Sequence, residues 1–131
     1  LVVNIPDLHL NKYTSIDTLG VVYDSKIAQQ RYLDSLNYIF NKDKSKKCIL
    51  VVGEDYFNID NLEKSTTKGT PQTTHLTYYE MYRHGFSILK HVLTEMSKKY
   101  SEIEVILVQG NHEYIYSSNC TSSLLQRFFK Y

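Results

Sequence analysis

Three short apolar runs, Leu1 to Ile5, Cys48 to Val52 and Glu104 to Val108, are rich in Val, Ile and Leu and show no polar residue at every second position. That pattern predicts strands covered on both faces. Helical spacing fills the intervals between them. From Ser25 to Asn41 the apolar residues Ala28, Tyr32, Leu36, Ile39 and Phe40 fall three or four apart, and Asp24 stands where an N-cap is needed. A second helix is expected from about His75 to Tyr100, with Tyr79, Tyr82, Phe86, Leu89, Leu93 and Met96 as its inward stripe. Ser97-Lys98-Lys99 closes it with the positive charge that suits a helix C-terminus. A third, short helix is expected over Ser122 to Lys130.

Strands alternating with helices predict an α/β domain with a mainly parallel sheet. In such sheets the carboxyl ends of the strands carry the ligand site. The residues at those ends are polar in all three cases: Asp7-Leu8-His9, Gly53-Glu54-Asp55 and Gly110-Asn111-His112-Glu113. Parallel strands would bring the three turns to one edge.

Composition narrows the function classes. With 131 residues, 42% hydrophobic and 22% charged, the chain is one soluble-type domain with enough apolar material for a core. A formal charge of +1 gives no global field for a polyanion, so any nucleic-acid role needs a local patch. No apolar run approaches the roughly 20 residues of a membrane helix and no signal-peptide pattern is seen, so no membrane role and a cytoplasmic location are expected. Cys48 and Cys120 form neither a disulfide framework nor a metal-binding pair and read as plain thiols. The chain opens on Leu1, already strand-like, which reads as a fragment or as a chain trimmed to its first strand.

Asp, His, Asp, Asn and His at one sheet edge form a mixed oxygen and nitrogen donor set suited to borderline divalent ions. If the backbone stays extended through Asp7-Leu8-His9, the spacing of two places both side chains on the same side, able to grip one ion. Asp55 would bridge to a second ion, and Asn111 offers a neutral carbonyl oxygen. Singly, each turn has an ordinary alternative: a chance Asp-x-His, a glycine turn with solvated acids, a capped turn. Their order and shared position after successive strands favour the metal reading. Glu54 competes with Asp55 for the bridging place.

Asp-x-His, Gly-(x)-Asp and Gly-Asn-His-Glu in this order resemble the signature of the calcineurin-like metallophosphoesterase superfamily. More narrowly, the chain is similar to a phage-associated branch described as DNA-repair-exonuclease-like. Asp17-Thr18-Leu19-Gly20, Tyr23-Asp24, Gly53-Glu54-Asp55-Tyr56-Phe57, Asp60 and Thr66-Thr67-Lys68-Gly69-Thr70-Pro71 carry that similarity, which covers nearly the whole chain. The resemblance implies the N-terminal portion of a four-layer α/β/β/α sandwich, residues 1–131 being a single partial domain. It makes Asp7 and His9 ligands of a first metal, Asp55 the bridging carboxylate and Asn111 a ligand of a second metal. His112 becomes the phosphate-binding or general-acid histidine and Glu113 its orienting carboxylate. Two divalent ions are implied, Mn²⁺ first, with Mg²⁺, Fe²⁺ or Zn²⁺ as alternatives. The reaction implied is phosphoester hydrolysis of a nucleic acid or another phosphodiester. The family's later histidines would lie beyond Tyr131; His75, His84 and His91 read as helix residues and do not replace them. A non-catalytic metal-binding or nucleic-acid-binding module retaining half of the site is the alternative.

The connection from Tyr56 to Thr74 is long for a compact domain, hence functional or disordered. Lys68 with Thr66, Thr67 and Thr70 could cradle a phosphate, although the glycine spacing is not that of a P-loop; Lys64 and Arg83 are weaker electrostatic candidates, and a plain surface loop is the alternative. Tyr56 and Phe57 suit core packing better than base stacking.

Overall fold

The computed structural model describes residues 1–108 and 110–112, together with the backbone of 116–117 and 120–121. Glu113, the side chain of Cys120 and the helix expected over 122–130 lie outside the described residues. The architecture is a small α/β arrangement. Its centre is a three-stranded sheet in the order β1 (Val2–Asn4), β2 (Lys47–Gly53), β3 (Glu102–Val108). All pairs are parallel, with Val3 beside Leu50 and Leu50 beside Val105. A separate antiparallel pair joins β4 (Tyr116–Ser117) to β5 (Cys120–Thr121).

Helices α1 (Ile16–Leu19) and α2 (Ser25–Lys42) lie between β1 and β2, and α3 (Tyr78–Lys99) between β2 and β3. Asp24 caps α2 by accepting from the backbone N–H groups of Lys26 and Ile27, both at 2.9 Å. Helix α3 starts at Tyr78, later than the apolar spacing suggests. Thr77 and Glu80 form a reciprocal capping box there, satisfying donors that the first turn would leave orphaned. His75 and Leu76, upstream, give their backbone N–H groups to the side chain of Asn11 instead.

Two expectations are corrected. Burial does alternate along the strands: Val3, Cys48, Leu50 and Val52 are buried, whereas Val2, Asn4, Lys47 and Ile106 are exposed. Successive right-handed crossovers in one direction place both connecting helices on the same face of the sheet, which is the face the described residues bury. The inward stripe of α3 is also displaced. Tyr79 and Phe86 are 68% and 48% exposed, while Met81, Gly85, Ile88, Leu89, Val92 and Met96 are buried. The large residues Tyr79 and Phe86 lie on the flank, because the glycine at 85 lets the helix approach Tyr56 and Phe57 closely. Tyr82, Leu89, Leu93 and Met96 of the expected stripe do reach the core or pack against it.

The connection after β2 is ordered. Tyr56, Phe57, Asn58, Ile59 and Asp60 are all buried, and Phe57 is bridged in parallel to Leu10. Tyr56 and Phe57 are therefore core residues. Among the described residues no helix is long and apolar enough to cross a membrane.

Candidate metal centre

The sheet does not stop at its last ladder bond; its backbone pairing runs on into the polar turns. Asp7 donates to the Glu54 carbonyl, His9 to that of Asp55 and Leu10 to that of Tyr56, each at 2.9 Å. Asn58 returns the pairing by donating to Leu10 O at 3.0 Å, and Glu54 N–H donates to Val108 O at 3.0 Å. The turns after β1, β2 and β3 are thus laced together at one edge, as the parallel sheet requires.

The path is strained. Among the described residues six non-glycines have positive φ, and five belong to this edge: Asp7 (57°), His9 (45°), Asn11 (81°), Glu54 (49°) and Asp55 (70°). Such conformations cost free energy and gather at functional sites. They also correct the reading of Asp7-Leu8-His9 as an extended segment, because the chain turns at both residues. The two side chains still meet, with His9 Nε2 3.6 Å from Asp7 Oδ1, but in unequal surroundings. The His9 side chain is 19% exposed and that of Asp7 67%.

Two glycines make the close approach possible. At Gly53 (φ 133°) a Cβ would lie 1.7 Å from Val108 O, and at Gly110 it would lie 2.1 Å from both N and Oδ1 of Asp55. The glycines of Gly-Glu-Asp and Gly-Asn-His are therefore required by packing between the turns. Pressed against Gly110, the buried Asp55 accepts the backbone N–H of His112 through Oδ1 at 2.7 Å.

The result is a cluster of three side chains. Donor atoms of His9, Asp55 and His112 all lie within 4.8 Å of one another. The His9 and His112 rings meet edge to face with centroids 4.7 Å apart. His112 Nδ1 is 3.0 Å from the Asn58 carbonyl oxygen. Since a carbonyl can only accept, Nδ1 is the donor, which leaves Nε2 as the ring nitrogen that could serve a metal. His9 is held neutral by burial, which lowers its pKa; neighbouring His112 pushes the same way, while Asp55 and Asp7 oppose more weakly. Its Nδ1 is buried without a hydrogen-bond partner, and its Nε2 faces Asp7 at more than hydrogen-bond length. Two imidazoles and a buried carboxylate gathered in this way fit a borderline divalent cation.

Of the other sequence candidates, Asp7 and Asn111 join Asp55 in lining a cleft of about 510 Å³ that also includes Pro6, Glu54 and Gly110. The Glu54 carboxylate is turned to Asn4, accepting from its Nδ2 at 3.1 Å, and is not in the cluster. A larger cleft of about 550 Å³ between residues 12–19 and 71–73 contains none of the clustered donors.

The Thr66–Thr70 segment is a tight turn: Thr66 N donates to Thr70 O at 2.9 Å and Gly69 N to Thr66 O at 2.8 Å. Thr66 is buried, and its hydroxyl accepts from Thr70 N at 3.2 Å. The Thr67 hydroxyl donates to Asp60. Lys68, Gly69 and Thr70 are the exposed members. Burial raises the pKa of Asp60 against the opposing Thr67 and Asn61 bonds.

Two contributors were missed in the sequence. Asn11 is wholly buried and clamps the approach to α3, its Oδ1 accepting from Leu76 N at 2.8 Å and its Nδ2 donating to Leu76 O at 3.1 Å. Asn58 orients His112. Neither had a sequence signal: Asn11 stands between Leu10 and Lys12, and Asn58 acts through its backbone carbonyl, which any residue would supply. No family model, curated sequence or solved structure matches the chain.

Proposed function

We propose that the chain carries part of a metal-dependent phosphoester hydrolase of the calcineurin-like type, acting on a phosphodiester such as DNA. In this reading it forms the N-terminal portion of a four-layer sandwich. The observation that supports it is the convergence of His9, Asp55 and His112, one from each of three successive strand ends.

Asp7, His9 and Asp55 would hold a first ion, and Asp55 with Asn111 a second. Bound there, divalent ions, Mn²⁺ foremost, would supply charge neutralisation at phosphoryl oxygens and a more acidic water. His112 meets the phosphate: with Nδ1 tied to Asn58, only Nε2 is free to accept a proton and return it to the leaving oxygen. The strained backbone and the two glycines fix these groups before substrate arrives.

Calorimetric titration of the chain with Mn²⁺ tests the donor set, and Mn²⁺-dependent cleavage of bis-p-nitrophenyl phosphate by the full-length hydrolase, of which this chain is a part that need not be active alone, tests the chemistry. Asp55→Ala is expected to abolish Mn²⁺ binding, and His112→Ala to abolish cleavage. Unchanged Mn²⁺ affinity in Asp55→Ala together with Asp7→Ala would overturn the site, and cleavage surviving His112→Ala would overturn the catalytic role.

A further inference from the structure

We propose that a further cleft, which includes Asp7 and His9 of the candidate metal site, receives the group esterified to the scissile phosphate, and that this group presents an apolar ring there, an aryl ester or the base carried by a nucleoside. The inference rests on the phosphoester reading above and adds the substrate's leaving side to it.

The cleft has a volume of about 250 Å³ and is lined by Asp7, His9, Lys12, Leu19, Val21 and Tyr23 among others. It shares His9 with the metal cluster and Asp7 with the neighbouring cleft of about 510 Å³. Its wall is apolar where a surface loop would ordinarily be polar: Leu19 and Val21 are 68% and 61% exposed, and Ile16 and Val22 beside them are exposed as well. Grouped exposed aliphatic side chains beside a polar centre mark a binding surface.

That wall is built, not loose. Thr14 and Tyr23 exchange backbone hydrogen bonds at 2.9 and 3.2 Å, and the Thr14 hydroxyl donates to Val21 O at 3.1 Å. Tyr23 OH donates to Leu8 O at 3.3 Å, fastening the wall to the turn that carries His9. Lys12 is fixed from the same turn, its backbone N–H donating to His9 O at 2.9 Å. Its exposed ammonium is the cleft's cation. A phosphoryl group at the cluster thus meets positive charge on one side, while whatever is attached to it on the Leu19 side meets aliphatic carbon. An aliphatic wall beside a cation favours an anionic ester with a sizeable apolar substituent, such as a ring, over one with a polar or small substituent.

The test uses the whole chain, titrated first with Mn²⁺ and then, loaded, with phenylphosphonate and methylphosphonate. Phenylphosphonate is expected to bind about tenfold more tightly, the value of burying one ring face. In Leu19→Ser/Val21→Ser that preference is expected to vanish, with Mn²⁺ affinity and Tm unchanged because both residues are exposed. Lys12→Gln is expected to weaken both phosphonates equally, by roughly two- to fivefold. Equal binding of the two phosphonates by a Mn²⁺-loaded chain would overturn this inference and leave the metal reading intact. A preference that persists in the double variant would remove it from this cleft. A chain that binds no Mn²⁺ would overturn the metal reading and this inference with it.

Discussion

The backbone N–H of His112 donates to Asp55 Oδ1 at 2.7 Å, so the third turn is held by the carboxylate of the second. The contact is possible only because residue 110 has no side chain; a Cβ there would lie 2.1 Å from that same oxygen. Gly110→Ala is therefore expected to displace the Asp55 carboxylate and break its bond to His112. Mn²⁺ affinity should fall by roughly 10- to 100-fold, the usual cost of disturbing a ligand's support, here that of Asp55. Calorimetric titration checks this; a variant that binds Mn²⁺ like the wild type would show that the close approach has no bearing on the cluster.

His9 gives the metal-free protein a pH dependence. Burial, then the nearby His112, hold its pKa below the ordinary 6.5. Between its folded value and 6.5 the unfolded chain binds more protons, so stability rises with pH across that window. On acidification the loss begins near 6.5 and is complete below the folded value. Tm measured without metal should fall over this range, and His9→Gln should flatten the profile. His84, shifted downward by its own burial, leaves a residual slope. A profile as steep in His9→Gln as in the wild type would assign the effect elsewhere.

The elements were legible in the sequence wherever a local rule decides them. Cys48 to Val52 and Glu104 to Val108 were placed within two residues of β2 and β3, and Asp24 was identified as the cap of α2. The meeting of the three turns followed from parallel topology alone. What a local rule cannot supply is which side chain meets which. Asp7 and His9 were expected on an extended backbone, yet the ladder from Glu54 to Tyr56 draws the chain into positive φ. Asn58 carries no motif; its role exists because its carbonyl oxygen reaches a histidine 54 residues away.

The Thr66–Thr70 turn should depend on one hydroxyl more than on its lysines. Thr67 donates to the buried Asp60, which otherwise has Asn61 Nδ2 at 2.8 Å. Thr67→Val keeps the shape and removes the donor. The Asp60 carboxyl should then shift further upward, and the exposed Lys64 and Lys68 should become faster trypsin sites. Time-resolved digestion followed by mass spectrometry checks this, with unchanged cleavage rates as the contrary result.

At Gly85 two physical effects oppose each other. Intrinsic helix propensity favours alanine over glycine by about 1 kcal/mol in a helix interior, so Gly85→Ala in α3 would be stabilising on that ground alone. Packing argues the reverse. A Cβ at 85 would lie 2.4 Å from Phe57 Cε1, 2.7 Å from Phe57 Cζ and 3.1 Å from Tyr56 Cε1. Neither ring can yield cheaply. Phe57 is fully buried, edge to face with Tyr56 at 4.9 Å and stacked on Tyr82 at 5.6 Å. Tyr56 is anchored through its hydroxyl, which donates to the Gly85 carbonyl at 3.0 Å. Overpacking of this kind costs roughly 1–3 kcal/mol, and loss of the Tyr56 hydrogen bond adds about 1 kcal/mol, so packing outweighs propensity. Gly85→Ala should lower the urea midpoint without changing the m-value. Phe57→Leu in the same background should recover part of the loss, because the obstructing ring is gone. A midpoint raised by Gly85→Ala would mean that α3 stands further from residues 56–57 than described, and with it that the turn bearing Asp55 is less firmly seated.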